Sequence, residues 1–91
     1  ARAHDPLSVE PLFARAVVEQ AAADRAAAGR TLEAAVALQP RNPETWRRLA
    51  EYELTVLRRP RVALRAIRSA VYLNPRAGDV AALYLRASRG G

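Results

Sequence analysis

The sequence predicts an all-α domain of two helix-turn-helix repeats followed by a closing helix, and three observations carry that expectation. Alanine supplies 21 of the 91 residues, whereas Phe, Trp and Ile occur once each. Alanine is the strongest helix former, and the β-branched and aromatic residues that an all-β domain would need are too few. The segment from Ala28 to Pro40 aligns with that from Ala63 to Pro75 at a constant shift of 35 residues, placing Ala28 on Ala63, Leu32 on Ile67, Ala35 on Ala70, Leu38 on Leu73 and Pro40 on Pro75. X-Pro breaks recur at Asp5-Pro6, Gln39-Pro40 and Asn74-Pro75, spaced by 34 and 35 residues. A fixed period of this length marks a stack of small units, each packed on its neighbours.

Each helix follows from its own residues. Ser8 reads as a cap ahead of Glu10 and Pro11, and Leu12, Phe13, Ala16 and Val17 then recur at three- and four-residue steps. Asp24 caps a second helix with Ala28, Leu32, Ala35 and Leu38 on one stripe, stopped by Pro40. Asn42, Pro43 and Glu44 supply a cap, a first-turn proline and a favourably placed acid for a third helix carrying Trp46, Leu49, Ala50 and Leu57. Pro60 opens a fourth, with Val62, Ala63, Ile67, Ala70 and Val71 expected inward, and Pro75 ends it. Gly78-Asp79 leads into a fifth through Val80, Leu83 and Ala87, with Arg89-Gly90-Gly91 expected to fray. Short turns between such helices make them pack as antiparallel pairs. The expected layout is a single domain over 1–91, with repeats at about 8–40 and 42–75 and a capping helix at about 78–88.

Ninety-one residues bury only about 60–65% of the unfolded chain's surface, too little for a large catalytic cleft with its own walls. All 15 basic residues are arginine, and the formal charge is +6. These planar cations never lose their proton, which brings nucleic acid, an acidic protein or an anionic membrane surface into view as partners. Arginine stems also cover apolar helix surface, so the charge reads first as solvated helix faces or coding bias and only second as a partner signal. With no cysteine there is no disulfide, thiolate nucleophile or sulfur-bound metal. No apolar run approaches the ~18–20 residues of a membrane span, and no signal peptide opens the chain. The segment reads as a soluble domain that does not insert into a membrane, and its methionine-free opening, Ala1 to Pro6, as a piece of a longer protein.

The run Trp46-Arg47-Arg48-Leu49-Ala50-Glu51-Tyr52, followed by Ala63, Ile67, Ala70 and Pro75, resembles the tetratricopeptide repeat pattern W-x₂-L-G-x₂-Y…A-x₃-F…P. Ala28, Leu32 and Pro40 repeat its second half. Ala50 stands for the glycine, Tyr52 comes one residue early, Ala63 one late, and Leu12 replaces the tryptophan in the first repeat. More narrowly, Trp46 to Leu54 and the ending Ala70-Val71-Tyr72-Leu73-Asn74-Pro75 are similar to repeats that follow the membrane region of bacterial O-antigen ligase or polymerase-like proteins. The first likeness implies a right-handed α-α superhelix and a scaffold for protein binding. The second implies an accessory module on a glycan-handling membrane enzyme whose chemistry lies elsewhere.

The residues themselves assemble no chemistry. His4 is the only histidine, sits ahead of the first helix and has only Asp5 beside it, without the held geometry a general base requires. Ser8, Ser69 and Ser88 stand in no G-x-S-x-G elbow, and no H-E-x-x-H, Walker or G-x-G-x-x-G motif occurs. One histidine and scattered acids provide no metal shell. Neither a catalytic residue, a metal nor a cofactor is expected.

Surface recognition remains. In tetratricopeptide repeats the first helix of each pair lines the concave face, which implies groove positions at Phe13 and Val17, then at Arg47 and Glu51, with Gln20 and Arg48 nearby. That groove would suit an extended peptide or a helix bearing an acid beside an apolar anchor, and Glu44, Phe13 and Val17 stand where a carboxylate clamp would need lysine and asparagine. Phe13 reads equally as core, and Arg47 with Glu51 as an ordinary i,i+4 pair. A second candidate surface is a basic ridge of Arg58, Arg59, Arg61, Arg65 and Arg68. Only Tyr72 lies near it, and nucleic-acid binding wants aromatic platforms between the charges, so nucleic acid is the weaker expectation. The sequence thus leaves three readings: a peptide-binding module, a structural or self-associating module pairing through exposed repeat ends, and an anionic-polymer binder.

Overall fold

Local chemistry sets where each helix begins and ends. The computed structural model describes residues 8–76 and 78–90, so His4, the Asp5-Pro6 break and Gly91 lie outside the described residues. Five helices follow one another: α1 Glu10–Ala21, α2 Arg25–Leu38, α3 Pro43–Thr55, α4 Pro60–Leu73 and α5 Gly78–Gly90. There is no strand among the described residues. Asp24 Oδ1 accepts from the Ala27 amide at 3.2 Å and Asn42 Oδ1 from the Glu44 amide at 2.9 Å, each satisfying a first-turn donor that has no partner within the helix. Ser8 Oγ accepts from the Glu10 amide, but Val9 holds the cap position, one residue later than expected. Pro60 starts α4 behind Arg59, whose side chain offers no cap. The fifth helix runs on through Arg89 to Gly90, past its expected end at 88.

The 35-residue shift extends from sequence to conformation. Helices α2 and α4 start and stop 35 residues apart, and so do α3 and α5. The turn before α2 places Ala23 at φ 62°, and the turn before α4 places Arg58 at φ 58°. The cap residues Asp24 and Arg59 follow at ψ 78° and 75°, and the exits Gln39 and Asn74 share ψ near 73–80°.

Consecutive helices pack on each other, and α3 also touches α5. The narrowest dimension, 18 Å, is two helices deep, since helix axes pack about 8–10 Å apart. Ala28, Ala35, Ala50, Ala63 and Ala70 have no exposed surface at all. Helix α3 serves two cores. Its Leu49 and Tyr52 join Phe13, Ala16 and Leu32, while its Ala50, flanked by Trp46 and Leu54, joins Ile67, Val80 and Leu83. Tyr52 also donates its hydroxyl to the Arg25 carbonyl at 3.0 Å, and Trp46 Nε1 donates to the Pro40 carbonyl at 2.7 Å. On α4 the buried stripe is Ala63, Ala66, Ile67 and Ala70. Val71, expected inward, is exposed, and Val62 is only half-buried; each sits one residue, about 100° of helix rotation, off the stripe.

Two buried positions depart from sequence intuition. Gly29 lies inside α2, where an added Cβ would meet Leu57 Cδ1 at 3.6 Å and Tyr52 Cε2 at 3.8 Å, ordinary van der Waals contact. Glu53 is buried on α3, and its Oε1 has no hydrogen-bond partner. Burial pushes its carboxyl above the usual range, opposed by the Arg59 charge and reinforced by Glu33. The folded chain therefore holds that proton more tightly than the unfolded one. The group's contribution is most favourable below the unfolded value of about 4.3 and declines as pH rises through the raised folded value.

Two outcomes follow in denaturant unfolding. Gly29→Ala raises stability by about 0.5–1 kcal/mol, because it removes a helix-interior glycine without a clash. Glu53→Gln matches the parent protein at pH 4 and exceeds it by about 1 kcal/mol at pH 7, so the gap between the two curves widens with pH.

Candidate functional site

Helices α1 and α3 border one cleft. No Cα of α1 comes within 8 Å of one of α3, and the space between them is closed below by Leu32 of α2 and Tyr52 of α3. The cleft encloses about 280 Å³. That is at the small end for a ligand pocket, room for one or two side chains.

Of the six groove positions named from sequence, Phe13, Val17, Gln20, Arg48 and Glu51 line this cleft and Arg47 does not. Val17 stands 60% exposed on the wall. Phe13 serves both expectations: its side chain is buried in the first core, and its ring face carries the Arg48 guanidinium with Cζ 4.1 Å from the ring centroid. A contact of this kind stabilises by about 0.5–1 kcal/mol and fixes the cation at the mouth of the cleft. Sequence reasoning passed over Ala16, Thr55 and Val56, which complete the lining; nothing in their spacing distinguishes them from ordinary helix positions.

Glu44 orders the charged end. It takes Arg47 in a two-pronged pair, Nη2 at 2.6 Å and Nε at 2.9 Å, and also accepts from Arg48 Nε at 2.9 Å. The hydrogen bonds from Arg47 hold the Glu44 carboxyl below its usual range against the opposing effect of burial, with the Arg47 charge and Arg48 adding to the lowering. Arg47 also reaches Glu51 at 3.4 Å, so it is engaged on both sides along its own helix. Arg48 is different. It uses only Nε on Glu44, and among the described residues its two terminal nitrogens meet no acceptor. A forked donor held above an aromatic ring is suited to a carboxylate.

The ridge residues Arg58, Arg59, Arg61, Arg65 and Arg68 are all exposed, and no salt bridge engages them among the described residues. The Arg59 charge acts on the buried Glu53. Among the described residues no three histidine or acidic side chains gather where they could hold a metal ion. No helix of the described chain is long and apolar enough to cross a membrane. No family model matches this chain, and no curated protein matches it.

Proposed function

We propose that this protein is a non-catalytic interaction module, a tetratricopeptide-type pair of repeats in a right-handed superhelix, that seats a peptide or helix of a partner protein in the α1/α3 cleft. The observation that carries this reading is the Arg48 guanidinium, stacked on Phe13 with its terminal nitrogens meeting no acceptor among the described residues, beside a recess of mixed lining in which Ala16, Val17, Leu32 and Val56 supply the apolar wall. The recess takes one aliphatic or aromatic anchor, and the arginine takes a carboxylate next to it. The 35-residue repetition of helix bounds and turn conformations supports the repeat assignment. Glu44 and Glu51 leave the charged end nearly balanced, so the partner's acid competes with Glu44 for Arg48 and affinity is modest.

Selection from a library of displayed random 12-residue peptides tests this. Enriched peptides carry an acid within a turn of an apolar anchor, and Val17→Asp or Arg48→Gln weakens them by about tenfold or more, with circular dichroism and melting temperature held. Enriched peptides that bind both variants as tightly as the parent would place recognition elsewhere.

A further inference from the structure

The outer side of α4 and α5 carries a second, wholly different groove. Val71, Tyr72, Tyr84 and Leu85 line it at 36, 86, 41 and 57% exposure, together with Ala81 and Arg68, around about 560 Å³. No described element covers it. The repeat register identifies what shape belongs there. Helix α3 receives α4 through the face bearing Trp46 and Ala50. A shift of 35 turns those residues into Ala81 and Leu85 of α5, which face solvent. Helix α5 thus presents to solvent the side with which α3 seats a following helix.

Charge specifies the occupant. Arg59, at the start of α4, lies within electrostatic reach of Glu53, which also feels Glu33. The same shift replaces Glu33 by Arg68 and Glu53 by Ser88, so where the start of α4 has the acid Glu53 within reach, a helix entering the α4/α5 groove meets a serine on α5 and an arginine on α4. The wider balance agrees. Residues 58–91 hold eight arginines and one acid, a net +7, whereas residues 1–57 hold seven arginines and eight acids, a net −1. A second copy docked face to face would set this +7 region against itself, which long-range repulsion opposes. A helix with acid in its first turn would meet Arg68 and also suit its own helix dipole.

We propose that the α4/α5 groove docks an amphipathic helix of another protein, its apolar face against Val71, Ala81 and Leu85 and its acidic flank against Arg68 and the neighbouring arginines. The docked helix takes, on α5, the place that α4 takes on α3.

A synthetic peptide provides the probe: residues 59–73 of this chain, which already carry the helix-facing apolar stripe, with Arg59→Glu, Arg61→Glu, Arg65→Glu and Arg68→Glu. It is titrated into the intact protein by fluorescence anisotropy beside the unsubstituted peptide, with amide shifts mapped by NMR. The expected result is that the glutamate peptide binds about tenfold or more tightly than the arginine peptide, shifts the amides of Val71, Ala81 and Leu85, and loses binding to Leu85→Asp, an exposed substitution that leaves the helical spectrum intact. Binding absent, or unchanged by Leu85→Asp, overturns the proposal. So does a dimer of the protein alone that Leu85→Asp dissociates, which would make the occupant a second copy, or tight binding of a labelled oligonucleotide that displaces the peptide, which would make the surface an anionic-polymer site.

Discussion

Alanines with no exposed surface set the distance between helices in this protein. Ala28, Ala35, Ala50, Ala63 and Ala70 let backbones approach closely, and a chain with one Phe, one Trp and one Ile has little other apolar volume with which to fill wider gaps. Close approach makes the thin two-layer form possible, and it leaves the larger side chains to act at the edges. Phe13 joins the first core and lines the α1/α3 cleft; Trp46 and Tyr52 tie α3 to the residues at either end of α2 through hydrogen bonds to the Pro40 and Arg25 carbonyls. The cleft exists because α1 and α3 bridge their separation by an arginine lying on a ring and not by small residues in contact.

Helix α3 is the member on which both halves depend. Its apolar residues divide between two cores, and between them it buries Thr45, whose hydroxyl donates to turn carbonyls, and Glu53, one of whose oxygens is unpartnered. The Arg59 cap position follows from this arrangement. An arginine there forgoes the side-chain cap that Asp24 supplies one repeat earlier and places a positive charge near the buried acid. The two repeats therefore share backbone geometry while differing in electrostatics, with acids concentrated before residue 58 and arginines after it. That polarity separates two surfaces: a nearly neutral cleft bearing the Arg48 guanidinium, and a basic, apolar-lined groove at the other end.

Helix number, order and most boundaries were legible in the sequence because proline, Asp24 and Asn42 act locally, and the alanine contacts were legible because they repeat at a fixed interval. Val71 was not, since an apolar residue one step off a helical stripe looks the same whether a neighbouring helix covers it or none does. The burial of Glu53 was hidden because a charged residue between Tyr52 and Leu54 reads as solvent-facing. For the cleft, the resemblance drew attention to the helices that line it, whereas the separation of Arg47 from Arg48 depends on Glu44 reaching both, which spacing alone does not reveal. Tyr84 joins Tyr72 in one groove only through the packing of α5 on α4.

If small residues at equivalent contacts set the fold, then enlarging them one repeat apart has equivalent consequences. The direct measurement is urea unfolding of Ala28→Leu, Ala63→Leu and the double variant. Overpacking at each site is expected to cost about 1–3 kcal/mol, similar in the two single variants and close to additive in the double. Leucine tolerated at both positions without loss of stability would contradict the account, because the helices would then not be held at the distance alanine allows.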